Sequence, residues 1–343
     1  MRATANAKRS FENTKMLIVD PKTITKIDHG TVADLLKFFN PGDLLIVNVA
    51  STLPASFKGK IKRTAEDIEF RLAAFTGPST SDLRRWSAIS FGAGNWRSST
   101  ESRGAPPKLV ENDVVEISDA LQLKIKKVDL RSTRLLEIEW ISSNLLHELY
   151  QEGKPIQYSY LEQDLAIWDQ QTIFHGPPVA VEPPSAAFPL TWDLLLKLKN
   201  KGVSIAPIIH SAGISSSGNS ELDALLPLSE YYEVPNETLL KVQSTQRNGR
   251  RVAAVGNSVT RAIESAIATG NTTGLTSLKL GPLSQLHGID VLITGMHEEG
   301  SSHAELMHAF CDHETLKLAE DEANRKEYRS HEYGDLMLLN CGR

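Results

Sequence analysis

Hydrophobic positions follow two different periods along the chain, and the change of period divides it into two kinds of structure. In the first and last parts, apolar runs of strand length, as at 44–49 and 252–255, alternate with apolar positions at helical spacing. Between residues 61 and 150, shorter segments alternate polar and apolar positions and are separated by turn-rich stretches. We therefore predict an α/β main domain, residues 1–60 and 151–343, with an inserted small antiparallel β-barrel domain at 61–150.

Two strands of the α/β part each lead to a histidine. Thr191 is predicted to cap a helix that Gly202 ends, and the apolar strand at 203–209 then leads to His210. The segment IDVLITGMH is a second strand, and it leads to His297. Because ligands in open α/β sheets bind beyond the carboxyl ends of the strands, we expect both histidines at one site.

The segment RRVAAVGNSVTRAIESAI predicts a buried strand, a polar turn and a helix. Gly256, Asn257 and Ser258 provide the turn and a helix cap, and Arg261 and Glu264 lie on the helix outside its apolar face. The free N–H groups of such a helix start can bind an anion or a polar ligand edge. An ordinary strand-to-helix connection explains the same pattern.

The segment LSEYYEVP concentrates carboxylates and phenols. Strand alternation places Glu230 and Tyr232 on one face, and Tyr231 and Glu233 on the other. A carboxylate and a phenol could therefore converge on a polar ligand. An edge strand with amphipathic tyrosines accounts for these residues equally well.

Length and composition fit two globular domains and a cytoplasmic location. A chain of 343 residues with 41% hydrophobic residues can form two cores. The two cysteines cannot form a disulfide framework, and the first residues lack the apolar stretch of a signal peptide. No apolar run approaches the roughly 20 residues that span a bilayer. We predict a soluble cytoplasmic protein with no membrane partner.

The overall charge gives no reason to expect an anionic partner, although two local clusters are basic. The net charge is -5 and the pI about 6.1. The clusters contain Lys58, Lys60, Lys62 and Arg63, and Arg247, Arg250 and Arg251. Each could contact phosphates or form a solvated surface.

Three common kinds of site are not supported by the spacing of the residues. His303, His308 and His313 are five residues apart and cannot share a helix face, and no HExxH occurs, so we expect no metal. The segment GISSS lacks the second glycine of a serine hydrolase elbow. No GxxxxGK[ST] phosphate loop is present.

Six segments in order resemble the S-adenosylmethionine:tRNA ribosyltransferase-isomerases of queuosine biosynthesis. They are DLLKFFNPGDLLIVN, LTWDLLLKLKNKGVSIAPIIH, SEYYEVP, GRRVAAVGNSVTRAIES, DVLITGMH and YRSHEYGDLMLL. The strand-rich insertion stands where that family carries a small β-barrel. The resemblance covers most of the α/β part.

The resemblance implies that S-adenosylmethionine serves as a ribosyl donor. An aminomethyl-deazaguanine base in tRNA attacks the ribose, adenine and methionine leave, and the sugar rearranges to an epoxycyclopentanediol. Such a reaction needs a base, an acid and donors that hold the ribose hydroxyls. His210 and His297 suit proton transfer, without an assignment of which is acid and which is base. Substrate-binding residues are expected in the matching stretches, namely Asn48, Glu230, Tyr232, Arg261, Glu264, Tyr333 and Asp335.

Four loops differ from the family pattern. The family's Asn-Asp-Thr-Arg-Val is NVAST at 48–52, and its Pro-Thr-Ala-Gly-Leu-His-Phe is PSAAFPL at 184–190. Its glycine-rich loop is SAGIS at 211–215, and Asn-Phe-His-Leu-Pro is GMHEE at 295–299. Loops carry much of substrate choice, so two alternatives stay open. One is a diverged S-adenosylmethionine enzyme that uses a small-molecule, nucleoside-like acceptor or only cleaves the cofactor, and the other is a non-catalytic RNA- or nucleoside-binding module.

Overall fold

A computed structural model describes residues 2–3, 10–11, 13–20, 26–98, 102–158, 161, 163–297 and 300–341. Its strands are β1 (Arg2–Ala3), β2 (Lys15–Asp20), β3 (Lys26–Thr31), β4 (Leu44–Asn48), β5 (Ser51–Thr52), β6 (Ser56–Ile61), β7 (Asp67–Phe75), β8 (Arg85–Phe91), β9 (Val114–Glu116), β10 (Gln122–Val128), β11 (Leu135–Ile141), β12 (Pro178–Ala180), β13 (Ser204–His210), β14 (Glu230–Glu233), β15 (Val252–Val255), β16 (Thr273–Thr276), β17 (Val291–Gly295), β18 (Arg329–Ser330) and β19 (Leu336–Asn340). Its α-helices are α1 (Leu35–Phe38), α2 (Leu145–Glu152), α3 (Trp192–Asn200), α4 (Ser220–Asp223), α5 (Asn236–Arg247), α6 (Asn257–Thr269), α7 (Ser302–Met307) and α8 (His313–Arg325). Short 3-10 helices cover Val32–Asp34, Ile167–Gln170 and Ser185–Ala187.

A mixed sheet forms the centre of the α/β part. Its nine strands in the described residues have the order β16-β14-β13-β4-β15-β17-β19-β2-β3, and β13, β4, β15 and β17 run parallel. Alternate residues of these strands enter two cores: Leu44 and Ile46 pack with α5, α6 and α8, whereas Leu45 and Val47 pack with α1 and α3. Helices on both faces explain why these strands are apolar throughout.

The inserted part is a closed antiparallel barrel with the strand order β10-β11-β8-β7-β6-β9. Its interior is filled by large side chains, including Phe57 and Trp140, whose rings lie 4.8 Å apart. The predicted α/β main domain with an inserted antiparallel barrel is therefore confirmed. The first barrel strand already begins at Ser56. The domain boundaries of the sequence analysis stay a prediction.

The local signals around the central strands have the expected physical basis. Thr191 Oγ1 accepts a hydrogen bond from the Leu194 N–H at 3.2 Å, as a helix cap should. The helix α6 begins at Asn257, and its cap residue is Gly256. Gly256 has φ of +94° and ψ of +154°, a conformation that is essentially reserved for glycine.

The described helices include none that is both long enough and apolar enough to span a membrane.

Candidate active site

A cavity of about 250 Å³ lies at the edge of the sheet where the parallel strands end. His210 is the last residue of β13, the Gly256 turn follows β15, and His297 lies two residues beyond β17. The structure thus brings both histidines and the turn to one place, because parallel strands carry their carboxyl ends to the same edge. The polar residues that line the cavity include Glu182, His210, Ser215, Glu230, Asn257, Ser258, Arg261, His297 and His303.

One wall of the cavity holds a buried group of three charged or titratable side chains. The Glu230 carboxylate forms an ion pair with Arg261 Nη1 through Oε2, and its Oε1 accepts the Gly213 N–H at 2.6 Å. His210 Nε2 lies 3.5 Å from Glu230 Oε2. Arg261 Nε donates to the Leu278 carbonyl at 3.0 Å. Neither ring nitrogen of His210, nor Arg261 Nη2, has a hydrogen-bond partner among the described residues.

Burial and charge act in opposite directions on this group. Burial lowers the pKa of His210 to about 4, although the Glu230 carboxylate opposes that shift. Burial alone would raise the pKa of Glu230, yet Arg261 and His210 hold it below its usual value. At neutral pH the group therefore contains a neutral imidazole, a carboxylate and a guanidinium.

A stacked pair of histidines, His297 and His303, also lines the cavity. His297 stacks on His303 with ring centroids 4.9 Å apart. Asn257 Nδ2 donates to the His303 carbonyl, so its Oδ1 accepts the Thr294 hydroxyl at 3.0 Å. The Thr294 oxygen must then accept from His297 Nε2 at 2.8 Å. This order of bonds leaves His297 Nδ1 able to accept a proton.

Burial is also the main cause of the pKa shifts of His297 and His303. It lowers the pKa of His297 well below the usual range, and His303 and His331 lower it further. The pKa of His303 is also lowered, with burial as the largest cause. Both rings are therefore neutral at pH 7.

Asn48 connects the ends of two neighbouring strands behind the cavity. Its Oδ1 accepts the His210 N–H at 3.0 Å, and its Nδ2 donates to the His210 carbonyl at 2.9 Å. The same Nδ2 lies 3.5 Å from Ser258 Oγ. The side chain therefore fixes the backbone that carries His210 relative to the start of α6.

Besides Asn48, four more of the predicted binding residues do not line this cavity. The Glu264 carboxylate accepts three backbone N–H groups, those of residues 287, 288 and 289, at 2.8, 2.8 and 3.1 Å. Tyr232 shares a strand face with Glu230, as predicted, but its hydroxyl bonds Thr269 and the Asn271 carbonyl at the other end of α6. Asp335 accepts the N–H groups of residues 15 and 329. Tyr333 stacks on Phe188 and lines a small adjoining cavity.

Glu182 is a prominent cavity residue that the sequence analysis did not select. It is 8% exposed and follows β12 in the loop that precedes two prolines. Its Oε1 accepts both the N–H and the hydroxyl of Ser215, at 2.8 and 3.1 Å. Burial raises the pKa of Glu182 to about 8. The only sequence signal was an acid between an apolar strand and a proline pair.

The histidine-rich segment and the basic clusters have structural partners of their own. His308 stacks on His313, apart from the His297 pair, and the described residues contain no group of three or more His, Cys, Asp or Glu side chains that could hold a metal. Arg251 pairs with Asp43 at the amino-terminal edge of the sheet, opposite the cavity. In the basic cluster at residues 58–63, Lys62 pairs with Glu116 and Arg63 pairs with Asp113.

Loops that differ from the family pattern border the cavity. Residues of the segments 184–190, 211–215 and 295–297 line it. Glu298 and Glu299 lie outside the described residues. Three of the four differing segments therefore lie at the cavity.

The fold and the cavity define an α/β protein with an inserted barrel and buried acid–base groups where its parallel strands end. The family model described as queuosine biosynthesis protein matches residues 2–339, so the chain belongs to this family. It is similar to the S-adenosylmethionine:tRNA ribosyltransferase-isomerase of Sulfurihydrogenibium sp. (strain YO3AOP1), with 28% identity over 96% of this chain and 93% of that protein. The enzyme of the same name from Carboxydothermus hydrogenoformans is also 28% identical, again over 96% and 93%.

A solved structure supports the fold. The crystal structure of the S-adenosylmethionine tRNA ribosyltransferase from Thermotoga maritima is similar with a TM-score of 0.53 and 21% identity, over 98% of this chain and 95% of that one. The likeness therefore extends over both the sheet and the barrel.

Proposed function

We propose that this chain is an S-adenosylmethionine:tRNA ribosyltransferase-isomerase of queuosine biosynthesis. It transfers the ribosyl group of S-adenosylmethionine to an aminomethyl-deazaguanine base in tRNA, isomerises it, and releases adenine and methionine. The observation that carries the proposal is the buried His210–Glu230–Arg261 group at the strand-end cavity of a chain of this family. The two alternatives are not favoured, since the matches cover nearly the whole chain and the relatives share one name.

His210 is the proposed base for the proton next to the sulfonium. A base must be unprotonated before the reaction, and the low pKa of His210 keeps its imidazole neutral. Its Nε2 faces Glu230, which leaves Nδ1 to accept the proton. The Glu230 carboxylate then stabilises the imidazolium, and Arg261 keeps that carboxylate ionised.

Arg261 and the start of α6 supply the proposed contacts to the rest of S-adenosylmethionine. Arg261 Nη2 and the first N–H groups of α6 offer donors to a carboxylate or to ribose hydroxyls. His297 is a second group able to accept a proton, and Asn48 holds the backbone of His210. We expect S-adenosylmethionine as the co-substrate, no metal, and action in the cytoplasm.

Product analysis tests the function directly. The protein is incubated with S-adenosylmethionine, with and without tRNA carrying the aminomethyl base, and adenine and methionine are followed by mass spectrometry. Release that requires tRNA supports the proposal, whereas tRNA-independent release points to the diverged enzyme. RNA binding without any release contradicts both enzymatic functions.

A matched pair of histidine variants tests the site. We expect His210→Ala to abolish adenine release, because the variant lacks the imidazole that is proposed to take the proton next to the sulfonium. His313→Ala is the control, since His313 is an exposed residue at the start of α8. Equal rates in the two variants would remove His210 from the mechanism.

A further inference from the structure

The reaction needs an acid as well as a base, and the two histidines predicted for proton transfer, His210 and His297, are poorly suited to the role of the acid. Adenine is a poor leaving group as an anion, so its departure is assisted by a proton on the ring. Both His210 and His297 are neutral at pH 7, because burial lowers their pKa values. The acid must therefore be a different group at the cavity that still carries its proton.

We propose that Glu182 is the catalytic acid that protonates the departing adenine, an inference that rests on the proposed function. Its side chain lines the cavity with His210, Glu230 and Arg261. Of the two carboxyl oxygens, Oε1 accepts both bonds from Ser215, and no hydrogen bond from the described residues reaches Oε2. A proton on the carboxyl group therefore belongs on Oε2, the oxygen left for a ligand in the cavity.

The surroundings of the two cavity carboxyl groups give them opposite charge states. Glu230 has an ion pair with Arg261 and remains ionised. Among the described residues Glu182 has no cationic partner, and burial and the neighbouring Glu230 charge both favour its neutral form. Two carboxyl groups whose environments separate their titration are the arrangement that general acid–base enzymes use.

The proposed step balances as follows. The Oε2–H bond of Glu182 breaks and its proton forms a new bond to a ring nitrogen of adenine. The bond between the ribose carbon and the adenine nitrogen breaks, and its electron pair stays on the base, which leaves as neutral adenine. Glu182 becomes a carboxylate that the two Ser215 donors stabilise, and water returns the proton after the products leave.

Other titratable groups around Glu182 fit the acid role less well. Burial raises the pKa of Glu332 only to about 6, so this group is largely ionised at pH 7. Tyr333 lines the adjoining small cavity and its raised pKa makes it a weak acid. The titratable and charged groups that line the two cavities around Glu182 are Tyr158, His210, Glu230, Arg261, His297, His303, His331, Glu332 and Tyr333, and the Tyr158 hydroxyl lies 3.5 Å from Ser215 Oγ.

The test measures tRNA-dependent adenine release by the full chain from about pH 6 to about pH 9.5. For Glu182→Gln we expect kcat to fall at least about 100-fold at neutral pH, because the amide cannot release a proton. Binding of S-adenosylmethionine should stay within about threefold, which also shows that the variant is folded. The wild-type rate should fall above pH 8, and the residual rate of the variant should not.

A substrate change separates an acid from a positioning group. The 2-fluoro analogue of S-adenosylmethionine carries a better leaving group that needs less protonation. If Glu182 is the acid, the loss in Glu182→Gln shrinks at least about tenfold with this analogue. An undiminished loss contradicts the acid role and leaves only positioning.

Glu237→Gln serves as the control for the loss of a carboxylate, since Glu237 forms an exposed pair with Lys241 on α5, and it should keep its rate within about fivefold. An active wild type with an equally active Glu182→Gln overturns only the role of Glu182. A wild type that releases no adenine with the modified tRNA overturns the proposed function and this inference together.

Discussion

The ion pair between Glu230 and Arg261 gives the most direct prediction of the effect of charge in the cavity. Glu230→Gln keeps the shape of the side chain, and its amide oxygen can still accept the Gly213 N–H. It removes the negative charge that faces Arg261 and places an amide donor against the guanidinium. Arg261 is only 8% exposed, so water cannot replace the lost carboxylate.

The expected cost follows from this burial. Removing one partner of a buried ion pair costs about 3–5 kcal/mol, because a charge remains without compensation. The reverse variant, Arg261→Met, leaves Glu230 without its cation and should cost a similar amount. The double variant removes both charges, and we expect its stability to lie within about 1 kcal/mol of the wild type. The interaction energy of the double-mutant cycle should therefore be several kcal/mol.

Urea unfolding followed by circular dichroism at the helix signal measures these stabilities. Most helices belong to the α/β part, so the signal reports the unit that contains the pair. Asp193→Asn is the control, since it breaks an exposed pair with Lys197 and should leave the midpoint unchanged. The reasoning is refuted if Glu230→Gln unfolds at the same urea concentration as this control, or if the double variant is as unstable as the single variants combined.

Three further predictions concern the rest of the cavity. The pKa of His210 is lowered from 6.5 to about 4, so its neutral form stabilises the fold above pH 6.5, and this stabilisation is lost as the pH falls to 4. Between pH 7 and pH 5 the free energy of unfolding of the wild type should therefore fall by about 2 kcal/mol more than that of His210→Leu. Urea titrations at both pH values measure the difference. Gly256→Ala should cost about 1–3 kcal/mol through its positive φ and raise KM for S-adenosylmethionine, whereas Gly270→Asn, at a left-handed helix end, should change KM little. Thr294→Val breaks the bonds to Asn257 and His297, and should cost about 1–3 kcal/mol in thermal unfolding and lower kcat.

The position of the site was predictable from the sequence because it depends on the strands. The apolar runs before His210 and Gly256 could only be buried strands, and parallel strands end at a common edge. The barrel was predictable from the period of its strands, since alternation survives in a closed sheet with a filled interior. These signals are local and need no knowledge of distant partners.

The roles of single polar side chains depended on partners that the sequence does not reveal. Arg261 and Glu264 are one turn apart on α6, yet only Arg261 lines the cavity, because Glu264 lies closer to a loop more than 20 residues away whose N–H groups it binds. The hydrogen-bond partner of Glu182 is Ser215, which is 33 residues further along the chain, so the sequence around Glu182 does not indicate its role. A buried carboxyl group without a cation is defined by its surroundings, and no pattern of neighbours in the sequence specifies them.

A loop, residues 211–215, connects the barrel to the active-site wall, beside the direct packing of Tyr231 on Phe75. The Ile214 N–H donates to the carbonyl of Ala73 in β7, while the preceding Gly213 N–H donates to Glu230. A Cβ atom on Gly213 would clash with the same Ala73 carbonyl, so the barrel backbone approaches as closely as a glycine allows. The next residue, Ser215, carries both donors of Glu182. One short loop therefore transmits the position of the barrel to the ionised and the protonated carboxyl group alike, which gives the inserted domain a physical means of aligning the proposed acid and base.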